Sequence, residues 1–171
     1  LKQLRPDIRI KDLRGNINTR LAKCANGDFD AIILACAGLE RLGLQERIRA
    51  ELKPDAWWPA VAQGAIAVES LSAKPEITAL FAALNDKPTE LRVRAERAMN
   101  KALHGSCQVP VAAYAEIHGD VMRLTGWVGD ATNIRSISAN AEGVADQPEA
   151  LGQTVADMLY AQGAAELLHI P

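Results

Sequence analysis

Two rhythms of apolar and polar positions run along this chain. Before about residue 104 the apolar residues recur at helical spacing or in one continuous run; beyond Cys107 they alternate in short stretches divided by glycine turns. Residues 7–10 read as a short strand, and Arg14-Gly15-Asn16 as a turn. Asn16 or Asn18 is placed to cap a helix to about Ala25, and Asn26-Gly27 to end it. The unbroken apolar run 31–37 predicts a strand covered on both faces. A short helix carrying Arg41 follows, stopped at Gly43, then a further helical segment over 45–52. Residues 53–59 are a break bracketed by Pro54 and Pro59. Residues 65–69 alternate toward a strand, and 75–84 predict a helix with proline in its first turn.

Residues 85–88 form the clearest linker. The helix expected next, over 89–104, carries the stripe Leu91, Ala95, Ala98, Met99 and Ala102, with Thr89 as its cap. Strands are expected at 109–117, 121–128 and 134–139, with turns at His118-Gly119-Asp120 and Gly129-Asp130, so an antiparallel meander. A last helix over 147–162 has Leu151, Val155, Met158 and Leu159 as its stripe, Asp146 as cap and Gly163 as stop. A helix, three strands and a helix make a small α+β unit with its helices on one face.

Composition narrows the function classes. The chain has 171 residues, 49% hydrophobic and 23% charged, which is enough apolar side chain to build a core. Aromatics are 4%, so that core is aliphatic. A formal net charge of −2 argues against a dedicated nucleic-acid binder, and no apolar run approaches the ~20 residues of a membrane helix. The small net charge hides an asymmetry. Lys2 to Lys23 carries seven basic residues against Asp7 and Asp12, whereas the segment after Ala139 carries five acids and no Lys or Arg. The basic end is suited to an anion. Three cysteines, Cys24, Cys36 and Cys107, are too few and too scattered for a disulfide framework, and no C-x-x-C pair suggests zinc; a reducing cytoplasm is the expected compartment.

Two stretches carry candidate chemistry. In His104-Gly105-Ser106-Cys107-Gln108-Val109-Pro110 a cysteine sits in a Gly/Ser turn between helix and strand. A thiol there can be a nucleophile or an attachment point once ionised; equally, it can be a small apolar residue in a turn. Cys24 and Cys36 read as structural, one in a helix and one in a buried strand. The second stretch, Leu13-Arg14-Gly15-Asn16-Ile17-Asn18-Thr19-Arg20, puts two arginines at a helix start, where guanidinium forks and free amides both attract carboxylates. Arg41 lies beyond the expected strand, where α/β sheets expose ligand groups. Three such arginines point to a polyanionic small molecule. No nucleophile elbow, H-E-x-x-H, Walker loop or G-x-G-x-x-G is present.

Five stretches occur in an order that is specific as a set: 12–21 (Asp12-Leu13-Arg14-Gly15-Asn16 onward), 30–39, 41–44, Pro59-Ala60-Val61-Ala62-Gln63-Gly64-Ala65, and Gly105-Ser106-Cys107-Gln108-Val109-Pro110. Together they resemble the porphobilinogen deaminase, or hydroxymethylbilane synthase, family over nearly the whole chain. The resemblance implies a transferase of tetrapyrrole (haem) biosynthesis that joins four porphobilinogens head to tail, releasing ammonia each time. It implies a covalent dipyrromethane cofactor held by a thioether to Cys107. Arg14, Arg20 and Arg41 match arginines that hold the acetate and propionate groups of cofactor and growing chain, and Gln63 matches a glutamine lining the same cleft. Every added pyrrole brings two carboxylates, so cations that cannot lose their protons suit the task.

The family also uses an aspartate that balances the charge developing on pyrrole nitrogen. It stands well before the Arg-Gly-Asn motif, and this chain opens on Leu1 only a few residues ahead of it. The resemblance therefore implies that no catalytic residue lies in these residues, and that they form a C-terminal portion lacking most of the first domain. Such a portion is expected to be inactive alone and to work, in the cytoplasm, as part of a complete monomer. In two places the chain departs from the family pattern: Ser106 stands for the second Gly before the cysteine, and Ala62 for a Gly before Gln63. The implied architecture is α/β plus α+β. Residues 1–60 would be the latter part of a periplasmic-binding-protein-like α/β domain two, 61–86 a segment returning to α/β domain one, and 87–171 the C-terminal α+β domain carrying the cysteine. A different class, a non-catalytic anion-binding module on the same scaffold, fits the arginines but gives the Gly-Ser-Cys-Gln-Val-Pro turn no purpose.

Overall fold

Asn16 stands in extended backbone, and its side-chain oxygen accepts the Thr19 N–H at 2.8 Å, which starts helix α1, Ile17–Ala25. The helix stops at Asn26, and Gly27 follows with φ +83°, a left-handed exit that glycine adopts without strain. The structure is a computed structural model that describes residues 1–54, 56–106, 109–130 and 135–169. The chain divides into two compact units, Leu1–Lys53 and Pro54–Pro171.

In the first unit three expectations fail, the first being the short strand at 7–10, which does not form. Residues 31–35 join no ladder, and helix α2, Cys36–Arg41, begins inside the expected strand. Cys36 therefore opens a helix and does not sit in a buried strand. Ile33 is 54% exposed, so the run is not covered on both faces. The physical reason is that a strand needs a ladder partner for its N–H and C=O groups, and no described residue of this unit supplies one. Among the described residues of 1–53, the helices form without a sheet. The helix expected over 45–52 shrinks to a 3₁₀ turn, Gln45–Arg47. So short a segment is marginal without an apolar face to bury, and here only Ile48 is even half-buried. Leu39 is the one fully buried apolar side chain of the unit among the described residues.

The second unit holds the core. Residues 65–70 join no ladder, so the strand expected at 65–69 does not form, for the same lack of a partner. Helix α3, Pro75–Phe81, places its proline in the first turn and runs into a 3₁₀ turn, Ala82–Leu84. Helix α4, Lys87–Ala102, begins earlier than expected. Asp86, not Thr89, is its cap, accepting the Thr89 N–H at 2.9 Å; Pro88 fits the first turn because no acceptor awaits an N–H there. Hydrogen bonding to Thr89 holds the Asp86 carboxyl below its ordinary range. At the other end His104 takes φ +52°. The Gly105 N–H bonds the Asn100 carbonyl at 2.8 Å and the His104 N–H that of Lys101 at 3.1 Å, the double closure that seals a helix C-terminus.

Three antiparallel strands follow as a meander: β1 Val111–His118, β2 Val121–Gly129 and β3 Ser136–Val144, in the order β1-β2-β3. Gly119, with φ +62°, is the first central residue of the two-residue turn between paired His118 and Val121. Pairing Ala113 with Gly126, Ala115 with Leu124, Leu124 with Ala141 and Gly126 with Ala139 puts alternate residues on one face. That face meets α4 and helix α5, Pro148–Ala161. Met99, Leu103, Met122, Leu124, Val128, Val155 and Leu159 are fully buried between them. The expected stripe of α5 is right at Leu151, Val155 and Leu159 and wrong at Met158, which is 40% exposed; Gly152 and Ala156 lie inward instead. Gln147, without a side-chain cap bond, replaces Asp146 at the start, and a short helix α6, Ala164–Leu167, follows Gly163.

The helix pair is close because of one glycine. A Cβ built on Gly152 would stand 2.5 Å from the Ala95 carbonyl oxygen, 2.7 Å from Ala98 Cβ and 2.9 Å from the Met99 nitrogen. Arg94 reinforces the crossing with a forked pair to Glu149 at 2.7 and 3.0 Å, and Tyr160 donates to the Ala102 carbonyl at 2.9 Å. No described helix is long and apolar enough to cross a membrane.

Candidate functional site

Two of the arginines expected to bind anions, Arg14 and Arg20, stand at the start of α1. First-turn amides of a helix have no intrahelical acceptor, and Asn16 takes up only the one from Thr19. Arg20, half-buried one turn in, donates its Nε to the Gly15 carbonyl at 2.7 Å. That bond fixes the guanidinium against the turn while its two terminal nitrogens enter no ion pair among the described residues. Lys23 bonds the Arg14 carbonyl at 3.3 Å, bringing another positive charge to the same turn. Gly15 (φ +125°), Asn16, Ile17, Asn18, Arg20 and Leu42 line an open hollow of about 470 Å³. No acidic side chain lines it. Arg14 is exposed beside it, and Arg41, also exposed, precedes the lining residue Leu42 at the end of α2. Arg14, Arg20 and Arg41 thus belong to one small unit, with a helix start and a glycine turn between them. This is a donor set for carboxylates: planar forks, permanent charge and backbone amides.

The second unit carries its own hollow, of about 270 Å³, between residues 59–65, the start of α4 and strand β1. The turn 60–65 closes through the Gln63 N–H to the Ala60 carbonyl at 3.0 Å and the Ala65 N–H to that of Ala62 at 3.2 Å. Gln63 is exposed at its tip and lines the hollow with Thr89, Arg92 and Tyr114. Arg92 reaches back to Thr89 Oγ1 at 2.9 Å. Ala60 bridges Ala112, and the Ala113 N–H meets the Pro59 carbonyl at 3.3 Å, so this segment covers the free edge of β1.

Glu96 is the residue that pattern reading missed. It is 6% exposed, the one buried charged side chain among the described residues. Its two oxygens accept the Ala62 N–H at 2.7 Å and the Ala115 N–H at 3.0 Å. Burial pushes its carboxyl above the ordinary glutamate range, while those two amides and the Arg92 charge pull the other way. A signal was present: Glu96 lies three residues before Met99 on the inward stripe of α4, where a charge needs a partner.

Cys107 lies outside the described residues. The turn before it is held by the closure at His104 and Gly105, where a Cβ on Gly105 would overlap the Asn100 side chain. Cys24 and Cys36 are free thiols, half-buried in α1 and at the start of α2.

Comparison with known proteins connects these parts. A family model described as porphobilinogen deaminase, dipyromethane cofactor binding domain, matches residues 1–79, and one described as porphobilinogen deaminase, C-terminal domain, matches residues 90–161. The chain is 58% identical over 170 residues to a porphobilinogen deaminase of Stenotrophomonas maltophilia strain K279a, covering 99% of this chain and 56% of the relative. It is 55% identical over 168 residues to the proteins of that name from Xanthomonas axonopodis pv. citri strain 306 and Xylella fastidiosa strain M23, covering 98% of this chain and 55% of each relative. The chain thus spans about half the length of the curated relatives it matches. Two adjoining family domains in the right order, and identity above one half along almost every residue, lead to one conclusion: the chain belongs to the porphobilinogen deaminase family.

Proposed function

We propose that this chain serves as part of a hydroxymethylbilane synthase, a transferase that condenses four porphobilinogens head to tail with loss of ammonia. The observation that carries the reading is the α1 start. An Arg20 guanidinium fixed by Gly15, with Arg14 beside it and free helix amides, lines a hollow without acids. The dipyrromethane cofactor of the family bears acetate and propionate groups, and this donor set fits them. When bound, the cofactor supplies the free pyrrole carbon from which the chain grows. Arg14 and Arg20 hold its carboxylates, Arg41 those of incoming substrate and growing chain, and Gln63 donates to the same ligands. Cys107 holds the cofactor through a thioether. The lining residues hold charge in place and transfer no proton; the carboxylate that balances developing positive charge lies, by the family pattern, outside this chain.

In the same reading residues 1–60 belong to a periplasmic-binding-protein-like domain two, 61–86 return to domain one, and 87–171 form the domain carrying the cysteine. The complete protein works as a cytoplasmic monomer. An anion-binding module without catalysis is less well supported, since it leaves both the cysteine turn and the family match without a role.

The arginines give the test. In a family-length protein carrying this chain, Arg20→Ala removes a charge-assisted, forked contact worth about 1.5–3 kcal/mol. Porphobilinogen binding by calorimetry is expected to weaken roughly 10- to 100-fold, with simple dicarboxylates bound poorly by either protein. An unchanged affinity for porphobilinogen, or equal binding of any dicarboxylate, contradicts the assignment.

A further inference from the structure

We infer that Glu96 is a positioning residue for Gln63: its buried carboxylate holds Ala62 in a left-handed turn and so sets where the Gln63 side chain stands. The inference rests on the reading above that Gln63 meets the ligand. Ala62 has φ +59°, a conformation in which a Cβ crowds the backbone and which glycine adopts freely. The family resemblance implies glycine at this position; here an alanine must be kept there by something else. The Glu96 Oε2 atom accepts the Ala62 N–H at 2.7 Å, the shorter of its two bonds, and Oε1 accepts the Ala115 N–H of β1 at 3.0 Å. The carboxylate on α4, 34 residues beyond Ala62 in sequence, therefore ties the turn to the sheet edge.

Packing alone does not account for this group. A buried carboxylate is costly to desolvate, and an apolar side chain of similar size fills such a site at lower cost. Both oxygens are used on backbone amides, and Gln63 is the next residue after one of them. With Ala62 held, Gln63 and Gly64 (φ +85°) project over the hollow that Arg92, Thr89 and Tyr114 share. Without the carboxylate, Ala62 relaxes to negative φ and the tip of the turn rotates away from that hollow.

Amide hydrogen exchange and amide resonances of the isotopically labelled chain test this. Glu96→Gln keeps the size but turns an NH₂ toward one of the two amides. Exchange at Ala62 is expected to quicken about tenfold or more. The Gln63 and Gly64 resonances should shift while β2 and β3 amides keep their protection. Adding Ala62→Gly restores the Gln63 resonances, because glycine holds the left-handed turn unaided. A residue that merely fills the core cannot be rescued by relieving strain at position 62. Unchanged Ala62 exchange in Glu96→Gln, or no return of Gln63 in the double variant, overturns the inference. Should Glu96→Gln fail to fold, Glu96→Asp decides, since the shorter acid retains one amide contact. Slow Ala115 exchange with fast Ala62 exchange supports the inference; loss of protection across the whole sheet in both variants overturns it. The underlying functional reading fails separately, if Gln63→Ala in the family-length protein leaves ligand binding unaltered whatever the exchange data show.

Discussion

Replacing Cys107 by serine is expected to abolish the covalent cofactor altogether. In a family-length protein carrying this chain, intact mass spectrometry of the wild type should show an adduct of dipyrromethane size, and Cys107→Ser should show the bare polypeptide mass. The argument is chemical. Formation of the thioether needs an ionised, polarisable sulfur, and a serine hydroxyl stays protonated and is a far poorer nucleophile at neutral pH. Turnover falls with the adduct, because the primer on which the chain grows is then held only by its carboxylates. Cys24→Ser and Cys36→Ser are the controls: both thiols are half-buried in the first unit, one inside α1 and one opening α2. Each should keep the full adduct. An adduct persisting on Cys107→Ser, or lost from Cys24→Ser, would falsify the attachment point.

The second large effect is on stability. Gly152→Ala puts a methyl group against α4, where the nearest backbone atoms are the Ala95 carbonyl oxygen at 2.5 Å and the Met99 nitrogen at 2.9 Å. These are backbone atoms of a helix and cannot rotate aside, so α4 and α5 must move apart along their whole crossing. Alanine gains about 1 kcal/mol over glycine in a helix, but overpacking of this kind costs about 1–3 kcal/mol or more and loosens every contact between the helices. A net loss of about 2 kcal/mol corresponds to a fall in melting temperature of roughly 10 °C for a unit of this size. Gly143→Ala makes the comparison, because its nearest neighbour is a Leu151 methyl at 3.4 Å, an ordinary contact. Equal melting temperatures for the two variants would show that the crossing tolerates a methyl group at Gly152.

Elements whose partners lie near them in the chain were the ones pattern reading recovered. Asn16 is legible as one of two candidate caps because its acceptor function is local, reaching Thr19. The meander is readable because each strand pairs with the next one along the chain, with Gly119 turning β1 into β2. The segments at 31–35 and 65–70 have strand-like side chains but no ladder, and composition cannot report whether a partner strand is at hand. Helix starts slipped where the cap competed with a nearby alternative, as Asp86 did with Thr89. At the candidate site, charge and position single out the arginines. Glu96 was not, because a glutamate on an amphipathic helix reads as solvent-facing until its exact place in the turn is counted. The left-handed Ala62 was out of reach too, since alanine carries no sign of a positive φ.

The Arg20–Gly15 bond bears on the thermodynamics of recognition. A free arginine on a surface samples many rotamers, and binding a ligand freezes them at a cost of about 0.5–1.5 kcal/mol. Arg20 has lost much of that freedom already, because its Nε is tied to a carbonyl five residues back within the same turn. That entropy belongs to the folding of α1 and is not drawn from each encounter with a carboxylate. Under the proposed function, each carboxylate that reaches this turn meets the same preset fork.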